Sequence, residues 1–252
     1  MVSRLTVAVL LGLSVLQGLT ALPTKRAGQC TPFKGNFGES SNWSAQEKKP
    51  NLYENSENGL KFNLIRPKEY TKKYDKDEKA YYNSAVGSGP TFVYDADVQY
   101  GRLSASIKAP AVGGAVTALI FKSTDGDEID FELIASPDNT QTNYYWGKKV
   151  ETGKNGKKHT GSISDDYHTY TIDWSPTSIK WYIDGKQVRE QTAEKTKING
   201  QERYPTSPSQ IQIGLWDGSG VAGTSAWAQG PIEWSDKEVS AYVKDITVEC
   251  PY

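Results

Sequence analysis

From residue 91 onward the sequence is a succession of short runs in which apolar residues either alternate with polar ones or stand together, each run stopped by Gly, Pro or an Asp-Gly pair. "TFVYDADVQYGRLSASIKAP" alternates. "AVTALIFKS" is a continuous apolar run, consistent with a strand buried on both faces. "HTYTIDWSPTSIKWYIDGKQVREQ" reads as antiparallel strands around a Ser175-Pro176 turn, with a second turn at Asp184-Gly185. "SQIQIGLWDGSG" and "SAYVKDITVEC" close the chain, and residues 42–78 read as early strands with long loops. No segment carries a sustained helical period. Period-two patterning leaves few folds open, and many short strands spaced by turns predict an all-β sandwich or jelly roll. A chain of 252 residues, 37% hydrophobic, is long enough for one such domain with a sizeable core.

The two ends say where such a domain works. "MVSRLTVAVLLGLSVLQGLTA" has one cation, Arg4, then an apolar run too short to span a bilayer, and Ala21 as a small residue for cleavage. Residues 1–21 are therefore expected to be a signal peptide. Residues 22–26 are expected to be a pro-segment ending in the dibasic pair Lys25-Arg26, which resembles a kexin-type processing site, and residues 27–252 to be a single catalytic domain. Removing Arg4, Lys25 and Arg26 takes the basic residues from 29 to 26 against 30 acidic ones, a net charge of −4. No basic stripe answers to phosphates, so nucleic acid is not expected as a partner. Cys30 and Cys250 are the only cysteines, and in a secreted chain they are expected to pair and tie the ends together. Two residues follow Cys250, which leaves no lipid-anchor signal and no membrane anchor is expected. "NWS" at Asn42 is a glycosylation sequon, although Trp43 draws it towards the core.

One segment does not fit an ordinary strand. In "TDGDEIDFELIAS" five of the eight residues from Asp125 to Glu132 are acids. On a strand Glu128, Asp130 and Glu132 share one face, while Ile129, Phe131 and Leu133 share the other. A solvated face would carry Thr, Lys or Ser at less cost, because like charges on neighbouring positions repel. Stacked carboxyls push their pKa values apart, so one holds a proton while another is ionised, which is what glycosidic bond cleavage requires. A calcium loop at Asp125-Gly126-Asp127 fails at its third ligand position, Ile129. His159 and His168, far apart, give little support to zinc, and no nucleophile-elbow motif is present. Neither a metal nor a cofactor is expected.

"EIDFE" resembles the glutamate-x-aspartate-x-glutamate signature of glycoside hydrolase family sixteen, and "YGRLSASIKAP", "QTNYYW" and "QIQIGLWDGSG" resemble the family's neighbouring strands in order and spacing. "GGAVTALIFKSTDGDEIDFELIAS", "QTNYY" and "GPIEW" are most similar to the fungal Crh-type cell-wall transglycosylases, which join chitin to β-glucan. The resemblance implies a concanavalin-like jelly roll with a concave substrate cleft. It implies Glu128 as nucleophile, Glu132 as general acid/base and Asp130 as the residue that hydrogen-bonds and tunes the nucleophile. A retaining mechanism brings two carboxyls to ~5–5.5 Å. Positions i and i+4 on a flat strand lie ~13 Å apart at Cα, so the sheet must curve. Gln141, Asn143 and Tyr145 alternate on one face and are candidate substrate contacts, with Tyr144 and Trp146 on the other. Trp216, and Trp227 in the Gly/Ala/Ser-rich loop at residues 217–229, are candidate sugar platforms, whereas Trp174, Trp181 and Trp234 are expected in the core. The chain lacks the cysteine-rich chitin-binding module and lipid-anchor tail of the Crh pattern. The expected product is a monomeric, secreted transglycosylase acting on chitin and β-glucan in the extracellular space or wall. Two alternatives stay open: a β-1,3(4)-glucanase or chitinase-like hydrolase, and a non-catalytic lectin.

Overall fold

The computed structural model describes residues 30–37, 42–47, 49–134, 139–147, 155–235 and 238–252. The expected signal peptide and pro-segment lie outside the described residues. Among the described residues seventeen strands follow one another: β1 (Phe33–Gly35), β2 (Trp43–Ala45), β3 (Tyr53–Ser56), β4 (Gly59–Leu64), β5 (Lys72–Asp75), β6 (Ala80–Asn83), β7 (Thr91–Val98), β8 (Gly101–Lys108), β9 (Ala115–Lys122), β10 (Glu128–Ile134), β11 (Asn139–Tyr145), β12 (Lys157–Thr160), β13 (His168–Trp174), β14 (Ser178–Ile183), β15 (Lys186–Thr192), β16 (Ser209–Asp217) and β17 (Val239–Glu249). A short helix, α1 (Ala222–Trp227), lies between β16 and β17.

Two antiparallel sheets take up all but one hairpin. The first runs β15-β14-β13-β8-β17-β4-β3, with β1 also paired to β17; the second runs β12-β11-β10-β9-β16-β7-β2. Strands β5 and β6 pair only with each other among the described residues. The strands alternate as the sequence pattern requires. In β8, Gly101, Leu103, Ala105 and Ile107 are buried while Arg102, Ser104, Ser106 and Lys108 are half-exposed. The inward rows of both sheets form one core, with Leu103, Ile107, Ile172, Trp174 and Trp181 from the first sheet and Leu119, Phe121, Ile129, Phe131, Ile211 and Ile213 from the second. Aromatic edges lock the layers: Phe131 meets Tyr170 at 5.4 Å and Phe121 meets Trp174 at 5.5 Å, both T-shaped. Trp43, next to the sequon at Asn42, is buried in this core.

Strand β9 is buried on both faces over its first half, while its open face is half-exposed at Ile120 and Lys122. Leu119 and Phe121 enter the main core. Val116, on the opposite face, packs with Ile134 and Ala228 in a second cluster bordered by Trp216 and Trp227. The Gly/Ala/Ser-rich stretch at residues 217–229 was expected to be a loop. It instead folds into a 3-10 turn (Gly218–Gly220) followed by α1. Asp217 starts this unit: its carboxylate accepts from the amides of Gly87 and Ser219, and Ser219 Oγ accepts from Ile232. Ala and Ser are small enough for α1 to lie close on the sheet, and the unit has no helical period long enough to read.

Cys30 and Cys250 form a disulfide with Cα atoms 5.7 Å apart, closing 220 residues at the point where the β1–β17 ladder ends. In the chain-entropy model, closing a loop of this length contributes on the order of 4–5 kcal/mol, by restricting the unfolded state. The replacement Cys250→Ser is expected to lower the free energy of unfolding by that order, on the order of 4–5 kcal/mol, while leaving the far-ultraviolet dichroism of the folded protein unchanged. Equilibrium denaturant unfolding followed by far-ultraviolet dichroism measures this, and an unchanged free energy of unfolding would show that the bond contributes nothing.

Candidate active site

The acidic segment is the third strand of its sheet, between β9 and β11. Its pleat splits the residues as expected. Ile129, Phe131 and Leu133 are at most 1% exposed in the core, and Glu128, Asp130 and Glu132 form a row on the opposite, open face. The turn that delivers the row is tightly specified. Ser123 Oγ accepts from the amides of Asp125 and Asp127, the Ser123 amide donates to Asp127 O, and Gly126 takes φ +95°. Asp127 is buried at the mouth of β10. Its Oδ1 accepts from the Gly147 amide at 2.6 Å, and its Oδ2 from the amides of Thr206 and Ser207 at 2.7 and 2.8 Å. One carboxylate thus ties the end of β11 and the loop before β16 to the start of the acidic strand.

The two neighbouring strands supply what faces the row. Glu128 lies between Lys122 and Tyr145, Asp130 between Ile120 and Asn143, and Glu132 between Ala118 and Gln141. Lys122 Nζ contacts Glu128 Oε2 at 2.5 Å, and the Asn143 amide donates to the Tyr145 hydroxyl at 2.8 Å. Trp227 reaches from α1 over Val116 and Ile134, stacks on Trp216 with 17° between planes, and donates to Gln141 Oε1 at 3.0 Å. It forms a wall beside Glu132. Gln141 is 8% exposed and its carbonyl is engaged by Trp227, so it braces the wall instead of offering a free amide oxygen. Asn143, Tyr145, Trp216 and Trp227 remain half-exposed on the open face.

Crowding and burial decide where the protons sit. Burial, then the charges of Glu128 and Glu132, raise the Asp130 carboxyl well above the usual carboxylate range. Its Oδ1 has no hydrogen-bond partner among the described residues. Burial, then the charge of Glu128, push Glu132 up to about 8, with Lys122 acting in the opposite direction. Burial and the three acids raise the Tyr145 hydroxyl. Asp130 and Glu132 therefore hold their protons more tightly than ordinary carboxyls, the condition for a group to give a proton at neutral pH.

The strand is also held from the core side. The Trp181 indole, wholly buried on β14, donates to the Asp130 carbonyl at 3.1 Å. Arg189 of β15 lies 4.4 Å over the Trp181 ring and donates to Thr142 O and Asn155 O at 2.8 and 2.7 Å. Burial lowers its pKa to about 10, leaving it charged at neutral pH. Trp174 is likewise wholly buried and Trp234 packs half-buried on the core, as expected. His159 bonds Thr142 Oγ1, and His168 bonds Asp184 and Asp165. No group of three or more metal-ligating side chains occurs among the described residues. Sequence reasoning missed Lys122, Asp127 and Arg189. For Lys122 the signal was present: residues 122 and 128 are equidistant from Asp125, so a hairpin centred there sets them opposite each other.

The model for glycosyl hydrolases family 16 matches residues 39–236. Crh-like protein 2 of Aspergillus fumigatus is 38% identical over 167 residues, 61% of this chain and 38% of that protein. Congo red hypersensitive protein 1 of Saccharomyces cerevisiae is 30% identical over 239 residues, 90% of this chain and 42% of that protein. The chain spans less than half the length of these curated relatives. Among solved structures, a Crh5 transglycosylase in complex with NAG superposes with TM-score 0.72 at 25% identity, covering 88% of each chain. The β-glucanase of Bacillus licheniformis gives 0.67 at 19% identity, over 89% of this chain and all of that one, a likeness of fold. The sandwich is accordingly the jelly roll that the sequence implied. The matched segment holds all seven strands of the sheet bearing the acidic row, and the chain belongs to glycosyl hydrolases family 16.

Proposed function

We propose that the chain is a retaining carbohydrate-active enzyme of the fungal cell wall that transfers chitin chains to β-glucan through a covalent glycosyl-enzyme. The observation that carries this reading is the row on β10, with Glu128 ion-paired to Lys122, Glu132 raised to about 8, and Asp130 raised between them. Glu132 protonates the leaving oxygen as Glu128 attacks the anomeric carbon. Asp130, protonated, offers a hydrogen bond to the nucleophile. Glu132, now a carboxylate, takes a proton from the incoming hydroxyl, whose oxygen displaces Glu128 with net retention. The stacked pair Trp216–Trp227 and the Asn143–Tyr145 pair flank the row and suit the C–H faces and hydroxyls of a sugar chain. The name of the structurally similar Crh5 transglycosylase supports a transferase over a hydrolase. With the expected signal peptide and the sequon at Asn42, the Crh-like relatives support a secreted protein that works in the wall. No helix of the described residues is long and apolar enough to cross a membrane.

Mass spectrometry of products from chitin oligomers, with and without a labelled β-glucan oligomer, tests the reading. Hybrid chains are expected. Shortened chains alone would assign a hydrolase, and unchanged oligomers with measurable binding a lectin. Glu128→Gln is expected to abolish turnover with the fold intact, and near-normal turnover would remove Glu128 from the nucleophile role.

The proton on Glu132 gives a pH prediction. A general acid must be protonated in the free enzyme, so kcat/KM is expected to fall as pH rises through about 8. A limb several units lower would reassign the acid. The same shift bears on stability. Glu132 binds its proton more tightly in the folded state than in the unfolded chain, where its pKa is about 4.3. Folding stability from this group therefore declines as pH rises from about 4 to about 8. Glu132→Gln removes that decline, so its melting temperature is expected to gain on the wild type across this interval. A constant difference would show that Glu132 is not the group shifted.

A further inference from the structure

Lys122 sits on β9 directly opposite Glu128, its ammonium 2.5 Å from the carboxylate, with a third of its side chain exposed. The groups around the pair leave the lysine as the nearest cation. On β16 its neighbour is uncharged Gln210, and beyond that, on β7, lies exposed Asp97. On β11 Glu128 faces Tyr145, a neutral phenol held by Asn143. Farther along β10 come Asp130 and Glu132, facing only Ile120 and Ala118 on β9 and Asn143 and Gln141 on β11. Lys158 of β12 lies opposite Gln141, one strand removed and exposed.

Three carboxyls in a crowded row cannot all ionise, and their protons belong to the set as a whole. Without a cation the single negative charge would be shared among positions. A lysine touching one end breaks that symmetry. We propose that Lys122 is the counter-ion that assigns the row's negative charge to Glu128 and leaves its protons on Asp130 and Glu132. It acts through Glu128 and is a positioning residue. The role rests on the reading of Glu128 as nucleophile. When a Glu128 oxygen bonds the anomeric carbon, the glycosidic C–O bond breaks and the Glu132 proton passes to the leaving oxygen. The carboxylate charge has then moved from Glu128 to Glu132, and the ion pair dissolves. When the acceptor oxygen attacks the anomeric carbon and gives its proton to Glu132, the Glu128 carboxylate is released and pairs with Lys122 again. Lys122 opposes the burial and Glu128 charge that raise Glu132, so its removal lets Glu132 rise further.

The test compares kcat/KM against pH for wild type, Lys122→Met and Lys122→Arg, using a chitin oligomer donor and a β-glucan oligomer acceptor. An opposite charge at this range moves a carboxyl by about 1–3 units. Both limbs of the Lys122→Met profile are expected to move to higher pH by about one unit or more, with Lys122→Arg restoring the wild-type limbs. A role in packing alone would lower the rate without moving the limbs. Limbs within about 0.3 unit of wild type in Lys122→Met would overturn the proposal. Carboxyl carbon-13 titration of glutamate-labelled protein reads the same shift without turnover, and Lys122→Gln serves for it if the methionine variant does not fold. A moved titration in a wild type that processes no glycan would sustain the charge assignment and sink the enzymatic reading. Turnover with unmoved limbs and an unmoved titration would sink the role of Lys122 alone.

Discussion

The pleat of β10 is the constraint on which the rest depends. Ile129, Phe131 and Leu133 are held in the core with almost no exposure, and burying such side chains is worth on the order of 1.5–3 kcal/mol each. A slip of one residue would exchange the two faces, placing three carboxyls in the core and three large apolar groups outside. The hydrophobic face therefore sets the register of the acidic face. Glu128, Asp130 and Glu132 have no freedom to spread apart, and their crowding follows from the packing beneath them.

Each neighbouring element adds to that result in a different way. Asp127 gathers three amides at the mouth of the strand and fixes where the row begins. Trp181 and Arg189 reach across from the opposite sheet to the backbone of β10 and β11. On the open side Lys122 marks one end of the row and the Trp227 wall closes on the other. Burial raises the proton affinity of Asp130 and Glu132, and Lys122 opposes that rise. A row of acids held partly protonated costs stability at neutral pH, so the site works against the fold that carries it.

Much of this was legible along the chain. The period-two runs gave the sandwich, and the alternation of "DEIDFELI" gave both faces of β10 before any partner strand was known. The largely apolar run "AVTALIFKS" implied a strand covered on both sides without saying by what. The answer is α1, drawn from residues 217–229, whose small residues suit a close helix but announce no period. Gln141 shows the opposite limit. Its face was read correctly, but its carbonyl is taken by an indole 86 residues later in sequence.

The sequence alone determined which residues share a face, because a strand alternates whatever surrounds it. It thereby determined that three carboxyls crowd together opposite a core, and that the two cysteines stand 220 residues apart. Tertiary structure decided which strands flank the acidic one, and so which cation meets Glu128 and which indole meets Gln141. Proton affinity and ion pairing depend on distances between segments far apart in the chain, and those distances exist only once the sheets have closed on each other.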